Sequence, residues 1–247
     1  MYFLEGIFRW IHVVAGVLWI GLLYFFNWVN SGFAPTMDAE TKKKVVPELM
    51  PRALFWFRWG AAFTWVTGVL LVLIVYYHGG LLFDSGHWGF MTFLMLAVVF
   101  LGVFVYDQLV KSVLKDMQVL FGAGVIIAFC VVALMDWVAG WSFRGYAIHL
   151  GAMFGTIMAF NVWFRIWPSQ RIIITATKNG EAPDPAVVGL AGIRSRHNTY
   201  MSVPLIFMMV SQHETWAANP IYLAIIVAVG WALTYHLYDR AGKVKGF

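Results

Sequence analysis

Apolar residues run along this chain in long blocks separated by short polar stretches, not in the two-residue alternation of half-buried strands. The blocks predict spanning helices near residues 6–30, 54–78, 87–110, 117–139, 144–168, 198–214 and 219–239. A hydrocarbon layer of about 30 Å needs about 20 such residues, and the sixth block, interrupted by Pro204, is the shortest. Trp10, Trp28, Trp56, Trp59, Tyr76, Tyr77, Trp88, Trp137, Trp141, Trp167 and Trp216 gather near block ends, as an interfacial aromatic belt does. The expected fold is an all-α polytopic membrane protein of about seven transmembrane helices, one integral domain over residues 1–247.

The polar stretches refine this. The longest runs from about Arg165 to His197 and carries the turn signals Asn179-Gly180 and Pro183-Asp184-Pro185. Lys42, Lys43, Lys44 and Arg52 fall in the first connection, Lys111 and Lys115 in the third, Arg165, Arg171, Lys178, Arg194 and Arg196 in the fifth, and Arg240, Lys243 and Lys245 in the tail. The other face has little beyond Arg9 and Arg144. The positive-inside rule then sets the N-terminus outside and the C-terminus in the cytoplasm of a bacterial inner membrane. The first block starts almost at Met1 without a charged n-region or small-residue cleavage site, so it reads as a spanning helix and not a cleavable signal.

Composition agrees: 61% of the 247 residues are hydrophobic, 12% are charged, and mean hydropathy is +0.75. The net charge of +5 sits in the connections, so membrane lipid is the expected partner and nucleic acid is not. Cys130 is the only cysteine, which excludes an internal disulfide and a CxxCH haem attachment. No GxGxxG, Walker loop, HExxH or GxSxG occurs, so kinase and hydrolase readings have no support.

The candidate chemistry lies in histidine. His12, His149, His197, His213 and His236 sit at or near the ends of apolar blocks, where an ionisable ring is costly and usually partnered. Neutral imidazole is a common ligand of haem iron. His12, His149 and His213 are expected in an outer layer, and His197 and His236 in a cytoplasmic one. Each layer offers an axial pair for haem b, His12 with His149 and His197 with His236, giving one or two haems; His213 is an alternative outer ligand or a supporting group. Gly16, and the row Gly151, Gly155 and Ala159, would let a helix or a porphyrin approach closely. Each of these rings could equally be an interhelical hydrogen bonder. His78 and His87 flank the Gly79-Gly80 loop and read as solvated. Arg194, Arg196, His197, Asn198 and Tyr200 form a dense polar cluster that could anchor the helix, hold haem propionates or bind an anionic substrate. Asp107 reads as a cap or a partner for Lys111, Asp136 as an interfacial carboxylate, and Asn161 as an interhelical hydrogen bonder.

Three stretches carry a resemblance: Arg9-Trp10-Ile11-His12 through Gly16-Val17-Leu18-Trp19-Ile20-Gly21; Tyr146-Ala147-Ile148-His149-Leu150-Gly151-Ala152-Met153 through Pro168-Ser169-Gln170-Arg171; and Arg194-Ser195-Arg196-His197-Asn198-Thr199-Tyr200 through Pro204 to His213. Together they resemble the N-terminal membrane domain of bacterial membrane-bound urate hydroxylases, over nearly the whole chain. The resemblance implies urate oxidation with electrons leaving through cytochrome c, and His12, His149, His197, His213 and His236 as the polar residues that matter. Two departures stand out: the haem c motif is absent, and the first cytoplasmic loop is short and lacks a His-Gly-Gly-Gly stretch. The expected function is therefore haem b-mediated electron transfer towards a separate cytochrome c or respiratory-complex subunit, with urate or a quinone as small-molecule partners. One alternative is a stand-alone urate hydroxylase with its catalytic site at Arg194, His197, Asn198 and Tyr200. The other is a cofactor-free structural subunit or permease.

Overall fold

The computed structural model describes residues 2–84, 86–112 and 116–246. These form long helices: α1 (Tyr2–Thr36), α2 (Ala39–His78), α3 (Phe90–Ser112), α4 (Met117–Val138), α5 (Phe143–Asn179), α6 (Pro185–Val210) and α7 (Pro220–Ala241). There is no strand among the described residues, only an isolated bridge between Phe83 and Trp141. All but α6 are long and apolar enough to cross a membrane. Helix α6 has the length, but Arg194, Arg196 and His197 interrupt its apolar run.

Two stretches expected as polar loops are mostly helix. Helix α2 begins at Ala39, so Lys42, Lys43, Lys44 and Arg52 lie on its first turns. Helix α5 runs on to Asn179 and α6 starts at Pro185, leaving only 180–184 of the long fifth connection outside helix. Hydropathy marks where a helix meets lipid, whereas caps decide where it ends. Asp38 accepts from the Thr41 N–H and hydroxyl, which hold its carboxyl below the ordinary carboxylate range. Asp116, Ser142, Asp184 and Asn219 cap the starts of α4, α5, α6 and α7, and Pro185 and Pro220 occupy first turns, where no N–H is needed. Gly180 closes α5 with φ +79°, a conformation other residues resist. Lys115 lies outside the described residues.

Helix α5 is the hub. Of its apolar window 67% is buried, against 11% in α1, which lies along α2 at the edge of the bundle. Glycines set the close approaches. A Cβ on Gly60 would lie 3.3 Å from Ala15 O and Trp19 Cβ, and one on Gly230 would lie 3.0 Å from Pro204 Cδ. Gly151 and Gly155 face Met208 and Leu205, so this small-residue row receives α6. Gly16 likewise faces Thr64 of α2.

Candidate functional site

Helix α6 presents two chemically different faces. On the first, Arg194 is 0% exposed and saturates much of its guanidinium within the bundle. Its Nη2 donates to Asp107 Oδ1 at 2.7 Å and to the Asp107 carbonyl at 3.2 Å; its Nη1 donates to Asn161 Oδ1 at 3.2 Å. Arg165 forks onto the same carboxylate through Nε and Nη2, and Lys111 Nζ stands 3.5 Å from it. Asp107 thus joins α3, α5 and α6. The expected partner Lys111 is there, and the closer partners, Arg165 and Arg194, come from helices distant in sequence.

Because a guanidinium only donates, Arg194 fixes the Asn161 amide with its oxygen towards the arginine. The Asn161 Nδ2 then donates to Asn198 Oδ1 at 2.9 Å and to Tyr106 Oη at 3.0 Å. The Tyr106 hydroxyl also lies 2.9 Å from His197 Nδ1. His197 Nε2 is buried without a partner among the described residues, as is Arg194 Nε. Three of the four residues expected to form a catalytic group, Arg194, His197 and Asn198, belong to this buried network. Tyr106, Asp107 and Arg165 complete it and were not anticipated as members. The available signal was Asp107 itself, since a carboxylate inside an apolar span needs cations.

The second face of α6 borders a cleft of about 710 Å³ between α1, α2, α5 and α7. Arg196, Ser195, Asn27, Asn30 and Gln170 supply its polar wall, with Tyr238, Phe26, Phe57 and Leu54 among its carbon surfaces. No carboxylate side chain among the described residues lines it. Asn27 is held by Ser195 Oγ at 2.8 Å and by the Tyr238 hydroxyl at 2.9 Å. The Arg196 guanidinium lies 5.6 Å from the Tyr238 ring. Tyr200, the fourth expected residue, stacks on Tyr238 at 5.9 Å and 19°, so it supports this face and not the network.

The expected haem pairs can be tested against these positions. His12 Nδ1 lies 2.9 Å from the Thr64 carbonyl and 3.2 Å from Thr67 Oγ1, both on α2. His149 is enclosed. Its Nδ1 is 2.7 Å from the Gly145 carbonyl, its Nε2 is 2.9 Å from Tyr77 Oη, and Tyr77, Tyr76 and Trp141 surround the ring. Both rings can be levelled on α2. His12 lies beside Thr64, Thr67 and Gly68, whereas Trp65 bonds Thr156 and Trp163 bonds the Arg58 carbonyl. That antiparallel register sets His149 about six residues further along α2, an offset of about 9 Å. In the other expected pair, His197 is buried against Tyr106, whereas His236 is exposed on α7. His213 lies in the turn after α6, with a 75% exposed side chain against Glu214. Each ring of the two expected pairs thus keeps separate surroundings, and no contact joins His12 to His149 or His197 to His236 among the described residues. Among the described residues there is also no group of three or more His, Cys, Asp or Glu side chains that could hold a metal ion.

No curated protein and no solved structure matches the chain. The family model described as Urate oxidase N-terminal matches residues 37–245, which hold both faces of α6 and most of the cleft wall. The match covers most of the chain and takes in the second and third of the stretches from which the resemblance was read, the first lying before residue 37: the chain belongs to the urate oxidase N-terminal family.

Proposed function

We propose that this protein is a urate-hydroxylase-type membrane oxidoreductase that takes a planar purine anion of the urate class into the cleft beside Arg196. It passes the electrons to a separate cytochrome c or respiratory-complex subunit. The observation that carries this reading is the cleft wall. Asn30 and Gln170 have no side-chain hydrogen bond to another described residue, Arg196 lies against Tyr238, and no carboxylate side chain among the described residues lines the cleft. A guanidinium with amides beside it suits a flat ring edged by carbonyl oxygens and N–H groups. Tyr238 and Phe57 offer carbon surfaces for its plane. Oxidation would remove two electrons and two protons while one water oxygen joins the ring; the acceptor takes the electrons and solvent the protons.

In this reading the cleft faces the cytoplasm of a bacterial inner membrane, with the N-terminus outside. Lys42, Lys43, Lys44, Arg171, Lys178, Arg240 and Lys243 gather at the cleft end of the bundle, which supports that orientation. The buried network is the anchor that holds α6 in place. No step is assigned to a haem.

The test uses purified full-length protein with oxidised cytochrome c under anaerobic conditions. Urate should reduce the cytochrome, and urate alone should perturb the protein's tryptophan fluorescence. If urate does neither up to about 1 mM, the upper end of ordinary substrate affinities, the reading is wrong. A b-type absorption band that disappears in His12→Ala would favour the electron-conduit alternative. His12 supports that reading in one respect: with Nδ1–H donated to the Thr64 carbonyl, its Nε2 keeps the lone pair a ligand requires.

A further inference from the structure

Away from the cleft, the seam between α2 and α5 carries a line of cations with no partners of their own. Arg58 lies within the apolar stretch of α2, with its guanidinium carbon 3.8 Å from the centre of the Trp167 ring, and Trp163 and Phe55 within 6 Å. None of its guanidinium N–H groups has an acceptor among the described residues, and Nε is buried. Arg171 follows Trp167 by one helical turn on the same face of α5, is exposed, and is the neighbouring charge felt by Arg58. Lys178 lies two further turns along that face, and Lys43 Nζ approaches Gly180 at the end of α5. None of these four cations has a carboxylate within 4 Å among the described residues; Glu48, the acidic group on this side, is taken by Arg52 at 2.7 Å. From Arg58 towards the apolar middle of α2 the surface turns aromatic: Trp59 packs on Trp163 and Phe63, and Trp59 and Phe63 are both exposed.

We infer that this seam is a binding site for an anionic phospholipid. The headgroup phosphate lies between Arg58 and Arg171, and an acyl chain runs along Trp59 and Phe63. Two guanidiniums without acceptors at an indole belt complement one phosphodiester, and the row of cations beyond them matches the polar layer of an anionic leaflet. Arg58 gains the acceptor that the protein does not supply. The site is separate from the cleft, so its failure leaves the urate reading intact.

The experiment is native mass spectrometry of the full-length protein released from nanodiscs of phosphatidylcholine with one-fifth phosphatidylglycerol. The wild type should retain a phosphatidylglycerol in preference to phosphatidylcholine. Arg171→Gln should lower that retention about fivefold, and Arg58→Gln with Arg171→Gln about twenty-fivefold, at about a fivefold effect per basic side chain. Arg52→Gln, which removes a cation already paired, should leave it unchanged. Retention by the double variant equal to wild type overturns the site. Should the double variant not fold, the exposed Arg171 single variant decides alone, and unchanged retention there also overturns the site. Inorganic phosphate in excess should not displace the lipid; displacement would make the site one for soluble anions and end the lipid assignment.

Discussion

Arg194 and Arg196 stand two residues apart on α6 and have opposite fates. Arg194 is 0% exposed, held by Asp107 and Asn161; Arg196 reaches the cleft and lies against Tyr238. Two residues along a helix is a rotation of about 200°, enough to send one side chain into the α3–α5 interface and the other to the α1–α7 side. Identical chemistry thus becomes an internal tie on one face and a donor awaiting a ligand on the other. A charged side chain inside an apolar bundle is tolerable when its counter-charge comes with it, and Arg194 has Asp107. Arg196 lacks one, so an anion from outside can supply it.

The strongest way to break this contrast is to remove the counter-charge. Asp107→Asn leaves Arg194 buried with a neutral amide and should destabilise the protein by about 3–5 kcal/mol, read as a large fall in Tm in detergent. Adding Arg194→Met to that variant should recover part of the loss, because the orphaned charge goes with it; a strictly additive double variant would show that the two groups are not coupled. Tyr106→Phe removes the hydroxyl between Asn161 and His197, leaving Asn161 Nδ2 and His197 Nδ1 one partner short each, and should cost about 1–3 kcal/mol. Urate affinity should be unaltered in that variant once it is folded. Gly68→Ala would set a methyl 2.9 Å from His12 Cε1, a strain of about 1–3 kcal/mol that separates α1 from α2 and leaves the contrast on α6 untouched. Arg196→Gln should move stability by less than about 0.5 kcal/mol, as surface substitutions do. The same variant should weaken urate binding about tenfold or more in fluorescence titration, the worth of a charge-assisted hydrogen bond.

The sequence was informative wherever lipid leaves the backbone no choice. Each apolar block became helix because N–H and C=O groups must pair within the segment. The polar continuations 39–53 and 185–197 were harder, since hydropathy does not separate a solvated helix from a loop. Their caps, Asp38 and Asp184-Pro185, were nevertheless visible as residues. At the site, Arg194, His197 and Asn198 shared a face by spacing alone, and the Asn161 amide does bond its neighbour. Asp107 does pair with Lys111, its neighbour along the helix, whereas Arg165 and Arg194 reach it through helix register, which no local pattern encodes. Pairing between imidazoles is likewise not encoded in a local pattern. Distance from a block's end does not give depth to within a helical turn, and it says nothing of which way a ring faces.

The wide turn at Val162–Ile166 in α5 has a consequence for how this chain can vary. A π turn holds roughly one residue more than regular helix, so every position beyond it is set back by about 100°. Arg165 reaches Asp107 from inside that turn, and Trp167 and Arg171 meet Arg58 just after it. Loss of a single codon here would tighten the coil and swing Trp167, Arg171 and Lys178 together onto another azimuth, undoing several contacts at once. The same loss in the 181–183 segment would only shorten a surface link. In this stretch of α5, chain length fixes the contacts as strictly as residue identity does.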